Sequence, residues 1–185
     1  MTSHNKTVID HFEENVAKFG DRRFMTQPME GDQDCMYFTY NEIMAEAKKM
    51  AGYIQSLGFE PKSQIAICSK NCAWWIIADL GIWMAGHVSV PVYPTLTADT
   101  TKYILEHSES KLLFVGKLDE KPWNEMKNGV PASLQTISFP LCPSGNCAQK
   151  KWDDVMKDAK PIEAPVKRTM EEMATIIYTS GSTGK

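Results

Sequence analysis

Apolar residues recur at three- and four-residue steps in two early stretches of the chain. From Thr7 to Phe19 the series Ile9, Phe12, Val16 and Phe19 keeps that step. Thr7 can cap the start and Gly20 can close the end, which predicts a helix. Arg23 to Gln27 and Cys35 to Tyr40 read instead as two strands. The polar run Glu30-Gly31-Asp32-Gln33-Asp34 between them suits a hairpin loop. Thr39 and Glu42 form a capping box for a second helix. Its buried stripe is Ile43, Ala47, Met50, Ile54 and Leu57, and Gly58 ends it.

The pattern then changes. Gln64 to Cys68 is a short apolar run and predicts a buried strand. Asn71 stands where a cap belongs, ahead of a helix from Cys72 to Ala85 that is apolar on nearly every side. Trp74, Trp75 and Trp83 lie in it. At about 14 residues it is shorter than the roughly 20 a membrane span requires, so it is expected to be covered by protein. Its Asp79 reads as a partnered or rim carboxylate. Gly86 closes the helix. His87 to Val92 is the next strand, and Pro91 and Pro94 force an extended exit. Thr97 can cap a helix over Ala98 to His107 with Ile104 and Leu105 inward, and Lys111 to Val115 is a further buried strand. His87 and His107 have no partner visible in the sequence and are read as structural. Strand, helix, strand, helix, strand in this order marks a parallel sheet with right-handed crossovers, an α/β fold.

Residues 116–170 are less regular. Leu134 to Phe139 predicts a strand and Trp152 to Lys157 a short helix. Pro161, Pro165 and Lys167-Arg168 suggest a surface connection to a last strand over Met173 to Tyr178. That strand runs into Thr179-Ser180-Gly181-Ser182-Thr183-Gly184-Lys185. Glycines let a backbone turn through positive φ and bring N–H groups close to a ligand. The Ser and Thr hydroxyls add donors, and the whole is an anion cradle suited to phosphates. A Ser/Thr/Gly run is also the composition of a flexible tail. The spacing is not that of a P-loop NTPase, which needs a glycine four positions before its Gly-Lys, where Thr179 stands.

The stretch from Tyr178 to Lys185 resembles the phosphate-binding signature of the adenylate-forming enzymes, the superfamily of acyl-CoA synthetases, luciferases and peptide-synthetase adenylation domains. Two other stretches support the resemblance. Phe38-Thr39-Tyr40-Asn41-Glu42-Ile43 is similar to the start of an early helix in that family. Asn71 to Trp75, and Met84 through Val90-Pro91-Val92-Tyr93-Pro94-Thr95, are similar to the helix, Ala-Gly turn and strand exit of fatty acyl-CoA synthetases. The likeness is firmest over 36–115 and 173–185 and leans toward the long-chain fatty acid–CoA ligases.

The resemblance implies the N-terminal portion of the adenylate-forming fold, a parallel-rich sheet flanked by helices. Residues 1–60 would form a helix–hairpin–helix segment and 64–185 an α/β subdomain. It implies fatty acid activation by ATP-dependent adenylation and thioester formation with CoA, with Mg2+ assisting. Thr179, Ser180, Gly181, Ser182, Thr183 and Gly184 would contact the ATP phosphates, Ser182 and Thr183 through their side chains. Lys185 falls at a variable position of the signature. The family's adenine pocket, acyl tunnel, Mg2+ carboxylate and catalytic lysine have no match here, so catalytic residues are unknown. A chain ending inside the loop is expected to be a fragment, inactive alone and open to self-association through uncovered apolar surface. The loop contacts ATP rather than the acid. Aryl- or short-chain acyl-CoA ligases, amino-acid-activating domains and a non-catalytic nucleotide-binding module therefore stay open as alternatives.

Composition narrows the setting. A net charge of −3 gives no reason to expect nucleic acid. No apolar run follows the N-terminus and none is long enough for a bilayer. The expectation is a cytoplasmic protein, with peripheral membrane association left open. Five cysteines, an odd number, favour reduced thiols over a disulfide framework. Cys142 and Cys147 have knuckle-like spacing but no second ligand pair, so no metal site is expected. Cys68 and Cys72 read as small core residues.

Overall fold

The computed structural model describes residues 6–29, 34–143 and 147–179. Helix α1 (Val8–Phe19) is capped by the Thr7 side chain, with Asp10 reaching back to close a capping box. Strands β1 (Arg23–Pro28) and β2 (Cys35–Thr39) pair antiparallel. Of the expected hairpin loop, residues 30–33 lie outside the described residues. Helix α2 (Tyr40–Ser56) starts at the Thr39–Glu42 capping box. It buries Ile43, Ala47, Met50 and Ile54 completely. Gly58 follows it with φ +68°, the left-handed turn that glycine takes at little cost.

The second sheet holds β3 (Gln64–Cys68), β4 (Val88–Val92), β5 (Leu112–Val115), β6 (Gln135–Ser138) and β7 (Lys150–Lys151), all parallel. Their spatial order is β4-β3-β5-β6-β7. The chain steps one way from β3 to β4, then back past β3 to β5. With crossovers of one hand, reversing the step puts the connecting helices on opposite faces. Helix α3 (Ala73–Met84) joins β3 to β4 on one face, and α4 (Ala98–His107) joins β4 to β5 on the other. The residue pattern predicts the parallel α/β sheet flanked by helices, and the reversal of strand order makes it doubly wound.

Alternation along the strands divides the core. Ile65 and Ile67 of β3 and Leu112 and Phe114 of β5 face α2, α3 and α6 (Trp152–Asp158). Ala66, Cys68, Leu113 and Val115 face α4 and α5 (Glu120–Met126), where Trp123 and Met126 close the layer. Phe114 stacks on Phe139 with centroids 5.7 Å apart, and Trp152 meets Phe139 edge-on at 5.4 Å.

Four features depart from the sequence reading. Helix α5 and the short β7 arise in the stretch read as irregular. Pro122 sits in the first turn of α5, where its missing N–H has no helical partner to lose. Helix α3 begins at Ala73 and is capped from a distance rather than by Asn71. The Ala73 amide donates to Gln27 Oε1 of β1 at 2.8 Å, and the Gln27 amide donates to the Pro28 carbonyl at 2.6 Å. Cys142 and Cys147 are joined to each other, with Cα atoms 6.5 Å apart, so the cysteines are not all reduced. Cys35, Cys68 and Cys72 remain free thiols, the last two buried as expected. The fourth departure is the last strand, which leads to the site.

Candidate functional site

Strand β4 has β3 on one side and the segment before the glycine loop on the other. There the ladder is a single parallel bridge between Ser89 and Thr175. The Ser89 amide donates to the Ala174 carbonyl at 3.0 Å, and the Ile176 amide donates to the Ser89 carbonyl at 2.9 Å. The hydroxyls of Ser89 and Thr175 meet at 2.9 Å. A strand over Met173 to Tyr178 should continue from here, and it does not. In a parallel ladder the next donor from β4 is the amide two residues on, at Pro91, which has none. The Ile176 carbonyl therefore finds no partner on β4, and pairing stops.

Beyond Ile176 the chain leans on α4 instead. The Tyr178 hydroxyl lies 2.7 Å from His107 Nδ1, and the Tyr178 ring meets Tyr103 edge-on at 6.4 Å. Burial holds the Tyr178 phenol above its ordinary range, helped by Tyr103 and opposed by a hydrogen bond with Ser108. His107 thus has the partner that the sequence concealed. Thr179 follows and is exposed. Ser180, Gly181, Ser182, Thr183 and Gly184 lie outside the described residues, as does Lys185.

The approach to Thr175 is held by side chains on backbone carbonyls. Arg168 donates through Nη1 to the His87 carbonyl and through Nη2 to the Met173 carbonyl, each at 2.6 Å. Trp83 Nε1 donates to the Ala174 carbonyl at 2.9 Å. Glu172 accepts from Lys62 at 2.8 Å and from the Thr169 amide at 2.9 Å, which holds its carboxyl below the usual range. The expected surface connection is a fastened strap, and the Arg168 side chain is only 11% exposed.

Two buried groups beside the strap lack full partners. Asp79 Oδ1 on α3 and His87 Nδ1 ahead of β4 make no hydrogen bond. Burial pushes the Asp79 carboxyl up to about 6, opposed by a hydrogen bond with Ser89. Asp79 is thus neither a rim nor a fully partnered carboxylate. Burial, with the Arg168 charge adding to it, holds the His87 imidazole below its ordinary value. Among the described residues no cluster of three His, Cys, Asp or Glu could hold a metal ion. Likewise no helix among them is long and apolar enough to cross a membrane.

Residues 12–185 match the family described as AMP-binding enzyme. The chain belongs to that family. It is 26% identical to long chain acyl-CoA synthetase 4 of Arabidopsis thaliana, over 92% of this chain and 28% of that protein. The chain thus spans under a third of the length of this curated relative. Among solved structures it resembles an anthranilate CoA ligase with a TM-score of 0.78 at 17% identity, covering 99% of this chain and 34% of that one. It also resembles a benzoate CoA ligase from Burkholderia xenovorans LB400, with a TM-score of 0.70 at 19% identity, covering 89% and 31%. At these identities the structures establish the shared fold, which agrees with the α/β reading.

For a member of the AMP-binding family, the sequence disclosed the loop motif but not what fastens its approach. Arg168 was visible only as half of a basic pair, and Trp83 only as an apolar helix residue. The one legible hint was the proline in β4, which limits what can pair beside it.

Proposed function

We propose that this chain is the amino-terminal part of a ligase that activates a carboxylic acid, most like a long-chain fatty acid–CoA ligase. The observation that carries the proposal is the Tyr178–Lys185 signature directly following a segment docked on β4 and α4. In this reading the acid's carboxylate attacks the α-phosphate of ATP, pyrophosphate leaves, and the CoA thiol displaces AMP to give the thioester. Thr179, Ser180, Gly181, Ser182, Thr183 and Gly184 hold the β- and γ-phosphates. Ser182 and Thr183 donate through hydroxyls and the glycines through backbone N–H groups. Their work is positioning and neutralising the departing pyrophosphate, not moving a proton. Mg2+ commonly accompanies ATP, and among the described residues no group of three His, Cys, Asp or Glu could hold it.

Residues 1–60 serve as a helix–hairpin–helix support and 64–185 as the α/β subdomain. The chain alone lacks turnover and exposes apolar surface at Val166, Met170, Met173 and Ile177 through which it self-associates. A cytoplasmic setting with peripheral membrane contact fits a ligase of fatty acids. A second reading is activation of an aryl acid, after the benzoate and anthranilate CoA ligases that share this fold. The test is acid-dependent ATP–pyrophosphate exchange by the protein the gene encodes. Exchange strongest with long-chain fatty acids supports the first reading. Exchange confined to aryl acids selects the second, and no exchange with any acid overturns both.

A further inference from the structure

We infer that Arg168 is a positioning residue for nucleotide binding: its guanidinium clamps the strap to β4 and thereby sets where the phosphate loop begins. The inference rests on the phosphate-loop reading above. Four observations carry it. The strap has little support on its α1 side, because a cleft of about 790 Å3 separates it from the first turn of α1. The ladder beside β4 is one bridge long, because Pro91 ends it. Arg168 bonds both ends of the turn from Thr169 to Met173, one directly through the Met173 carbonyl and the other by its own position in the chain. The same fork reaches the His87 carbonyl one residue before β4. Finally, the clamp lies just ahead of the Ser89–Thr175 bridge, so slack at Arg168 passes directly to Thr175, Ile176 and Tyr178.

The residue type matters. A planar guanidinium presents two donors at a fixed spread, so each carbonyl fixes the other's position. A lysine ammonium carries the charge without that geometry. Two residues before Arg168, the Val166 amide donates to the Met84 carbonyl at the end of α3 at 2.9 Å, so the strap enters the clamp from a fixed point. Lys62 and Glu172 add a second tie at the turn, but Lys62 is exposed and the pair is correspondingly weaker.

The experiment uses the protein the gene encodes and compares wild type, Arg168→Gln and Arg168→Lys, with Lys102→Gln on the exposed face of α4 as a control. Two quantities are read: amide hydrogen exchange at Ser89 and Ile176, and the dissociation constant for Mg·ATP. Arg168→Gln is expected to speed exchange at Ser89 and Ile176 about tenfold, with Leu113 and Phe114 unchanged, and to weaken Mg·ATP about tenfold. Arg168→Lys is expected to fall between, and Lys102→Gln to match wild type. Unchanged exchange at Ser89 and Ile176 overturns the clamp. Faster exchange everywhere, Leu113 and Phe114 included, makes Arg168 a general stabiliser and overturns the positioning role. Selective loosening with unaltered Mg·ATP affinity overturns it too. If the wild type binds no Mg·ATP while its clamp amides stay protected, the phosphate-loop reading fails, and the role in nucleotide binding falls with it.

Discussion

The sheet core and the strap are built by different means. In β3 and β5 every residue from Ile65 to Cys68 and from Leu112 to Val115 is buried, and the strands are placed by which face each side chain prefers. Such burial is non-directional and sums over many contacts. The strap from Val166 to Tyr178 leaves Val166, Met170, Met173 and Ile177 exposed. It is placed by a few directed hydrogen bonds from Arg168, Trp83, Lys62 and Ser89. A region of the first kind tolerates the loss of any single polar contact. A region of the second kind depends on each one, and can shift without unfolding the rest.

The largest expected effects lie in the core. Phe114→Ala should cost about 3–5 kcal/mol in urea unfolding, because it removes a buried ring stacked on Phe139 and tilted against Trp152. Ile177→Ala, at a position 67% exposed, should change stability by under about 0.5 kcal/mol. Equal losses at the two sites would erase the contrast.

Next comes the buried carboxyl beside the bridge. Asp79 is 7% exposed, and its folded value of about 6 lies above the ordinary 3.8. The folded state therefore holds the proton more tightly than the unfolded one. The stability this contributes is complete below about pH 4 and is lost as pH rises through about 6. Asp79→Asn should then stabilise the protein by about 3 kcal/mol at pH 7.5, with the gain vanishing toward pH 4. Denaturation of both proteins across that range checks it, and a pH-independent difference would contradict it. His87 acts in the opposite sense. Its depressed folded value means that the unfolded state takes up the proton first, so its contribution falls as pH drops through the ordinary histidine range.

Smaller effects sharpen the comparison within polar contacts. Gln27→Ala removes the remote cap of α3 and leaves the Ala73 amide buried without a partner. About 1–2 kcal/mol is expected in thermal or urea melts. Trp83→Phe removes only the donor to the Ala174 carbonyl from an otherwise similar ring. About 1 kcal/mol or less of global stability should go, while exchange at Ile176 rises.

What could be read in the sequence divides along the same line. Capping boxes at Thr7 and Thr39, the Thr97 cap, and the strands at 64–68, 88–92 and 112–115 are local or periodic signals. They carried the fold because burial enforces periodicity. Helix α5 escaped because seven residues hold too few apolar positions to show a period. Gln27 capping α3, Arg168 reaching His87, and Tyr178 reaching His107 join residues 46, 81 and 71 positions apart, and no local pattern marks such pairs. The loop motif was legible as chemistry. The early end of the strand before it follows from Pro91, whose missing donor matters only once its neighbour is known.

The most direct measurement is native-state hydrogen exchange in low urea. If the strap is a separate, polar-fastened unit, the amides of Ser89 and Ile176 exchange through a small opening with weak urea dependence. The Leu113 and Phe114 amides then exchange only through global unfolding. Exchange of all four through one opening, with the full urea dependence, would mean that strap and core are a single unit and would contradict the distinction.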